Sequence, residues 1–171
     1  MKKIKEEIVY HGPLADVAIE DYACEDGRIY QRQIIKHPGA VAIVAHDEDE
    51  IFMVRQPREA VGEDNLLELP AGTLDVPGEE PLACAQRELA EEVGLQAETW
   101  QHLKSIYPSP GYAQETVHIF EARVLSTANA HPDDDERIEI VRYPLEELAQ
   151  LIDTVKDSKS LVGLLLLERR I

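Results

Sequence analysis

"QRELAEEVGL" (residues 86–95) places Glu88, Glu91 and Glu92 within five positions, with no Lys nearby to offset them. Like charges four apart on a helix repel by roughly 0.2–0.5 kcal/mol per pair. A chain tolerates that cost, but the arrangement still needs a reason. The stretch continues a helical reading that begins at Pro81, which suits a first turn, and ends at Gly94, which suits a C-cap. Projected at 100° per residue, Leu82, Ala85, Leu89 and Val93 form an apolar stripe. Glu88 and Glu92 then fall on the shoulder of that stripe, with Glu91 one step further round and Arg87 on the far side. Carboxylates one turn apart on such a shoulder suit a hard divalent cation, which takes oxygen ligands and shares its site with substrate phosphates. A solvated acidic face is the competing reading of the same spacing.

Outward from this helix, elements alternate in type. "ADVAIEDYACEDGRIYQRQIIKH" (15–37) alternates polar and apolar on both sides of "EDG", the pattern of a β-hairpin. "AVAIVAH" (40–46) and "EIFMVRQ" (50–56) are apolar strands, and "NLLELPAGT" (65–73) a short strand followed by a loop. Strand, loop and strand follow the helix, and "LVGLLLL" (161–167) closes the chain as a buried helix, too short to span a bilayer. The fold class is therefore α/β (α+β): a mixed sheet with a few helices. A boundary near Pro38 divides an N-terminal β-strand region, 1–38, from a main domain, 39–171.

Composition narrows the function classes. The 171 residues carry 17 basic and 34 acidic side chains, a net charge of −17. Such a surface repels nucleic acid, so no nucleic-acid partner is expected. The start, "MKKIKEEIVY", lacks the apolar core of a signal peptide, and no membrane partner is expected. Two cysteines, Cys24 and Cys84, form no CxxC or disulfide framework, which points to a reducing cytoplasmic location. The six histidines show no paired ligand spacing and read as structural. "DDDE" (133–136) reads as a solvated loop, with an extra cation as the alternative.

Gly72, Glu79, Arg87, Glu88, Leu89, Glu91, Glu92, Gly94 and Leu95 together resemble the Nudix box, G-x5-E-x7-R-E-U-x-E-E-x-G-U, where U is a bulky aliphatic residue. Six residues rather than five separate Gly72 from Glu79, a departure confined to the loop before the helix. The resemblance implies a Nudix α/β/α sandwich with a mixed sheet plus N-terminal antiparallel strands. It also implies hydrolysis of a nucleoside diphosphate linked to another group. Glu88, Glu92, Glu91 and the carbonyl of Ala71 would be the metal ligands, with Mg2+, Mn2+ or another divalent cation as cofactor. Arg87 would hold the glutamates in place, Gly72 would permit a tight turn with close backbone approach, and Glu79 would support the site.

Two segments outside the box resemble ADP-ribose pyrophosphatases of this family. "YPSPGYAQE" (107–115) matches S-P-G-x-x-x-E through Ser109, Pro110, Gly111 and Glu115, and implies Glu115 as the base toward water. Glu91 or Glu92 is the substitute in that role. "RQIIKHPGAV" (32–41) and "VRQPR" (54–58) place Arg32 and Arg58 as substrate-binding residues, although Pro57 stands where an aromatic is usual. Glu68, Gly72 and Pro110 complete the substrate-binding candidates. The expected reaction splits ADP-ribose into AMP and ribose 5-phosphate. The alternatives are another nucleoside diphosphate sugar or a dinucleotide (GDP-mannose, NADH), or a sensor that binds ADP-ribose without cutting it. A homodimer with exchanged N-terminal strands is implied by the same resemblance.

Overall fold

The computed structural model describes residues 1–128 and 137–171, so the acidic run 133–136 lies outside the described residues. The chain forms two compact units, 1–39 with 107–116, and 40–106 with 117–171.

The first unit is a four-stranded sheet in the order β1-β2-β3-β9: β1 (Lys2–His11), β2 (Asp16–Ala23), β3 (Ile29–Lys36) and β9 (Ala113–Gln114). The β2–β3 hairpin turns at the "EDG" that the alternation marks, with Gly27 at φ 83°. Glu20 of β2 is buried and gathers Lys36 (2.5 Å), Lys3 (3.3 Å) and the Tyr22 hydroxyl. The Lys36 ammonium first, and the Tyr22 hydroxyl second, hold the Glu20 carboxyl down to about 2. An unfolded glutamate titrates near ~4.3, so this stabilisation is complete above that value and fades as pH falls toward the folded value. Glu20→Gln should therefore lower the stability of the N-terminal strands at pH 7 but hardly change it near the acid end. Hydrogen exchange of the β1–β3 amides against pH reads the difference, and a gap that widened in acid would contradict it.

The second unit holds a seven-stranded sheet with a spine β11-β5-β4-β10-β8, in which β6 pairs with β5 and β7 with β4. Its strands are β4 (Ala40–His46), β5 (Glu50–Arg58), β6 (Glu63–Glu68), β7 (Ala71–Thr73), β8 (Leu95–Ile106), β10 (Val117–Thr127) and β11 (Glu139–Pro144). The β4–β10 pair is parallel and the other ladders are antiparallel. Every residue of β4 is buried, which is why "AVAIVAH" is a continuous apolar run rather than an alternating one. Val41, Ile43 and Ala45 pack with Cys84, Ala85 and Leu89 of α1 (Pro81–Val93) on one face. Ala42 and Val44 pack on the other with Leu148 and Leu151 of α2 (Leu148–Thr154) and Leu164 and Leu167 of α3 (Ser158–Glu168). This unit is thus a sheet between helices, the α/β/α architecture expected. No helix among the described residues is long and apolar enough to cross a membrane.

Candidate active site

Helix α1 starts at Pro81 and ends on Gly94, whose φ of 71° lets its N–H close on Ala90 and Leu89 carbonyls. The expected core stripe is rotated in the folded protein. Leu82, in the first turn, is 39% exposed, while Cys84, Ala85, Glu88, Leu89, Glu92 and Val93 are buried. Glu88 and Glu92 therefore lie within the buried face of the helix, not on its shoulder. Burying two carboxylates is costly unless each is paired or hydrogen-bonded, and the surrounding residues meet that demand.

Arg87 is the principal partner. Its Nε and Nη2 donate to the two oxygens of Glu79 at 3.1 Å each, and its Nη1 donates to Glu88 Oε1 (2.7 Å) and Glu91 Oε2 (2.9 Å). One planar guanidinium thus ties the loop before the helix to two successive turns of it, a geometry a Lys ammonium does not offer. The Arg87 hydrogen bonds hold the Glu79 carboxyl below the usual glutamate range. Glu92 is held from the other side, its Oε2 accepting the Ala71 N–H at 2.9 Å. Burial first, and then the Glu88 charge, pushes the Cys84 thiol up to about 12, so it stays protonated. That thiol donates to the Thr73 carbonyl and ties the helix to β7.

Gly72 lies in β7, paired with Val41 of β4, rather than in a tight turn. Its role is close approach: a Cβ built there would stand 2.0 Å from Glu88 Cδ and 2.1 Å from Oε1. No side chain fits between this strand and the Glu88 carboxylate. The structure therefore brings Ala71, Gly72, Glu79, Arg87, Glu88, Glu91 and Glu92 into one loop–helix cluster. Its donors are all hard oxygens, the set Mg2+ prefers, and Mg2+ keeps waters and substrate oxygens in most of its positions. Among the described residues no three His, Cys, Asp or Glu side chains are grouped so as to hold a metal ion by themselves. The fit is to an open site of the kind that shares its ion with a phosphate.

A second group is centred on Glu68, 3% exposed at the end of β6. Arg58 Nε donates to its Oε2 at 2.8 Å, and Lys159 Nζ to its Oε1 at 2.7 Å. Pro57 coincides with an irregularity in the β5–β6 register between Gln56 and Arg58, as the loss of a ladder N–H demands. Lys159 was not among the sequence candidates, nor were Asp157 and Ser160. Asp157 caps α3 by accepting the Ser160 N–H, and the Ser160 hydroxyl accepts the Leu69 N–H at 2.7 Å. The start of α3 thus pins the strand end that leads into Ala71 and Gly72. An N-capping Asp before an apolar run is a readable signal; a Lys that pairs 91 residues away is not.

Arg32, Pro110 and Glu115 belong to the first unit. There Arg32 stacks over Tyr30 at 5.5 Å, and Glu115 lies 3.8 Å from His37 Nδ1. The loop after Pro108 closes through Ser109, whose carbonyl accepts from Tyr112 and Ala113.

Comparison with known proteins agrees with this geometry. The chain is 40% identical over 164 residues to an ADP-ribose pyrophosphatase of Bacillus subtilis strain 168, spanning 93% of this chain and 88% of the relative. It is 36% identical over 167 residues to a methanol dehydrogenase activator of Bacillus methanolicus, spanning 95% and 89%. A crystal structure of an ADP compounds hydrolase superposes with a TM-score of 0.86 at 25% identity, covering 99% of this chain and 94% of that one. A family model described as the NUDIX domain matches residues 36–164, a span that holds the entire loop–helix cluster. Its glutamates, its arginine and the glycine packed against Glu88 all fall inside that match, and the chain belongs to the Nudix family.

Proposed function

We propose that this protein is a pyrophosphohydrolase that splits ADP-ribose into AMP and ribose 5-phosphate. The carrying observation is the Arg87-tied carboxylate cluster over Gly72, in a chain aligned along nearly its whole length with an ADP-ribose pyrophosphatase. Glu88, Glu91, Glu92 and the Ala71 carbonyl would hold Mg2+, or Mn2+ in its place. When bound, the ion supplies charge neutralisation of the pyrophosphate and Lewis acidity toward its oxygens. It also accounts for an anionic substrate entering a protein of net charge −17.

The chain's own residues do the rest. Arg87 fixes the carboxylates of Glu88 and Glu91 in place, and Glu79 anchors Arg87. Arg58, its Nε committed to Glu68, presents a guanidinium 41% exposed in its side chain, suited to phosphate oxygens. Lys159 supplies a second positive charge to Glu68, so that carboxylate does not take up Arg58 alone. Arg32 and Pro110 are proposed for substrate binding and Glu115 for accepting the proton from water, with Glu91 in reserve. A homodimer is also proposed. Exposed Ile4, Val9, Tyr10 and Ile29 on the N-terminal strands support it, and light scattering tests it. A reducing cytoplasm is proposed from the two free cysteines.

The test is AMP release from ADP-ribose, GDP-mannose, NADH and ADP-glucose, with Mg2+ and with EDTA. Metal-dependent cleavage of ADP-ribose above the rest supports the reading, and preference for another substrate corrects its specificity. Binding of ADP-ribose without cleavage would make the protein a sensor. Within the same assay, Gly72→Ala should cost about 10²-fold in rate, because the new methyl displaces Glu88 by more than the ångström-scale tolerance of a catalytic geometry. Activity within a few-fold of the parent would show that Glu88 is not held where it acts.

A further inference from the structure

A second set of donors stands on the α1 side of the larger sheet, outside the carboxylate cluster. Residues directly across a ladder share a face. Gly72 faces Glu88, Val41 is its partner on β4, and His118 of β10 is the partner of Val41. Across from His118 on β8 is Ser105, and across from Phe120 is His102.

Residues 102 and 105, an odd number apart, would point to opposite faces of a regular strand. The β8–β10 register shifts between Ile119 and Phe120, and that bulge turns His102 onto the face of Ser105 and His118. Two imidazole nitrogens then converge on one oxygen: His102 Nε2 is 3.0 Å from Ser105 Oγ, and His118 Nδ1 is 2.9 Å from it. The ring centroids are 6.1 Å apart, and Phe120 braces the His102 ring edge-on at 5.3 Å.

We propose that His102 and His118 form a site for a borderline transition-metal ion of the Zn2+, Ni2+ or Cu2+ class. Imidazole nitrogens select such ions, whereas the all-oxygen set of the box selects Mg2+. The two sites are therefore separated by donor chemistry and not only by position. With Ser105 between them, one ring presents an N–H and the other a lone pair. Metal binding needs two lone pairs, which the first ring supplies by moving its proton to its far nitrogen, with no net proton change. Burial, and then the neighbouring His102, lowers the His118 pKa, which favours the neutral form a metal requires. Among the described residues no third His, Cys, Asp or Glu joins the pair. The site is open, with Ser105 Oγ and water for the remaining positions.

The test is Zn2+ titration by calorimetry in millimolar Mg2+, which occupies the oxygen site, on the full chain and on the double variant His102→Ala/His118→Ala. The parent should bind one more Zn2+ per chain than the double variant, and each single variant should bind it about tenfold or more weakly. Histidine side-chain nitrogen NMR of the unmodified chain gives an independent reading, with His102 Nε2 and His118 Nδ1 shifting on Zn2+ addition. Equal Zn2+ stoichiometry and affinity in parent and double variant, or unmoved shifts at both nitrogens, would overturn the proposal.

Discussion

Glu92→Gln should lower the rate of ADP-ribose hydrolysis by about 10³-fold while leaving the folded structure intact. The substitution is nearly isosteric, and the amide oxygen of Gln can still accept the Ala71 N–H that Glu92 now accepts at 2.9 Å. What it removes is one negative charge from a carboxylate that is 4% exposed. A charge in that position attracts a divalent cation far more strongly than it would in water, because little solvent screens it. Metal loss, not unfolding, is thus the expected effect. The check is a pair of measurements: the apparent Mg2+ affinity from rate against Mg2+ concentration, and the thermal midpoint. A rate within tenfold of the parent at saturating Mg2+ would remove Glu92 from the metal set and leave it a structural partner of β7, which it holds to α1 through the Ala71 N–H.

The same residues show what a one-dimensional reading reaches. Helix α1 was legible to the residue, because Pro81 and Gly94 mark its ends by local chemistry. "AVAIVAH" was legible as an apolar strand, and the folded structure gives the reason for its lack of alternation, burial on both faces. The burial of Glu88 and Glu92 was not legible. A helical projection centres the core on aliphatic side chains, whereas Gly72, with no side chain, lets β7 approach from the acidic side. Of the partners that make this burial tolerable, the Arg87 fork is local in sequence and was implied by the family resemblance, whereas the Ala71 N–H comes from tertiary contact. Lys159 with Glu68 is missed for the same reason. The histidine pair is hidden differently: the 102–105 spacing predicts opposite faces, and only the bulge in β8–β10 reverses it.

Arg87→Met carries the largest expected effect on stability. With Arg87 removed, Glu79, Glu88 and Glu91 lose hydrogen bonds of 2.7–3.1 Å at once. Direct repulsion between i,i+4 carboxylates is only roughly 0.2–0.5 kcal/mol per pair. Leaving a fully buried charge unpaired costs about 3–5 kcal/mol. The Arg87 side chain is 31% exposed, so screening reduces the second figure to about 1–3 kcal/mol. In EDTA this corresponds to a midpoint lowered by about 3–10 °C. Mg2+ should then restore part of the loss, and by more than it raises the midpoint of the parent, because in the variant the ion meets carboxylates that no arginine neutralises. Activity should fall about 10²-fold even at saturating Mg2+, since the carboxylates lose their common orientation. Arg87→Lys should recover charge without the fork and rescue stability more than rate. The pH dependence follows from Glu79, whose carboxyl is held low by Arg87 in the folded state. That contribution is complete above the unfolded value of ~4.3 and is lost as pH falls through the lower folded value. The stability gap between parent and Arg87→Met should therefore be widest near neutrality and close in acid. A gap constant down to the acid limit would mean that Arg87 acts through packing and not through the carboxylates it joins.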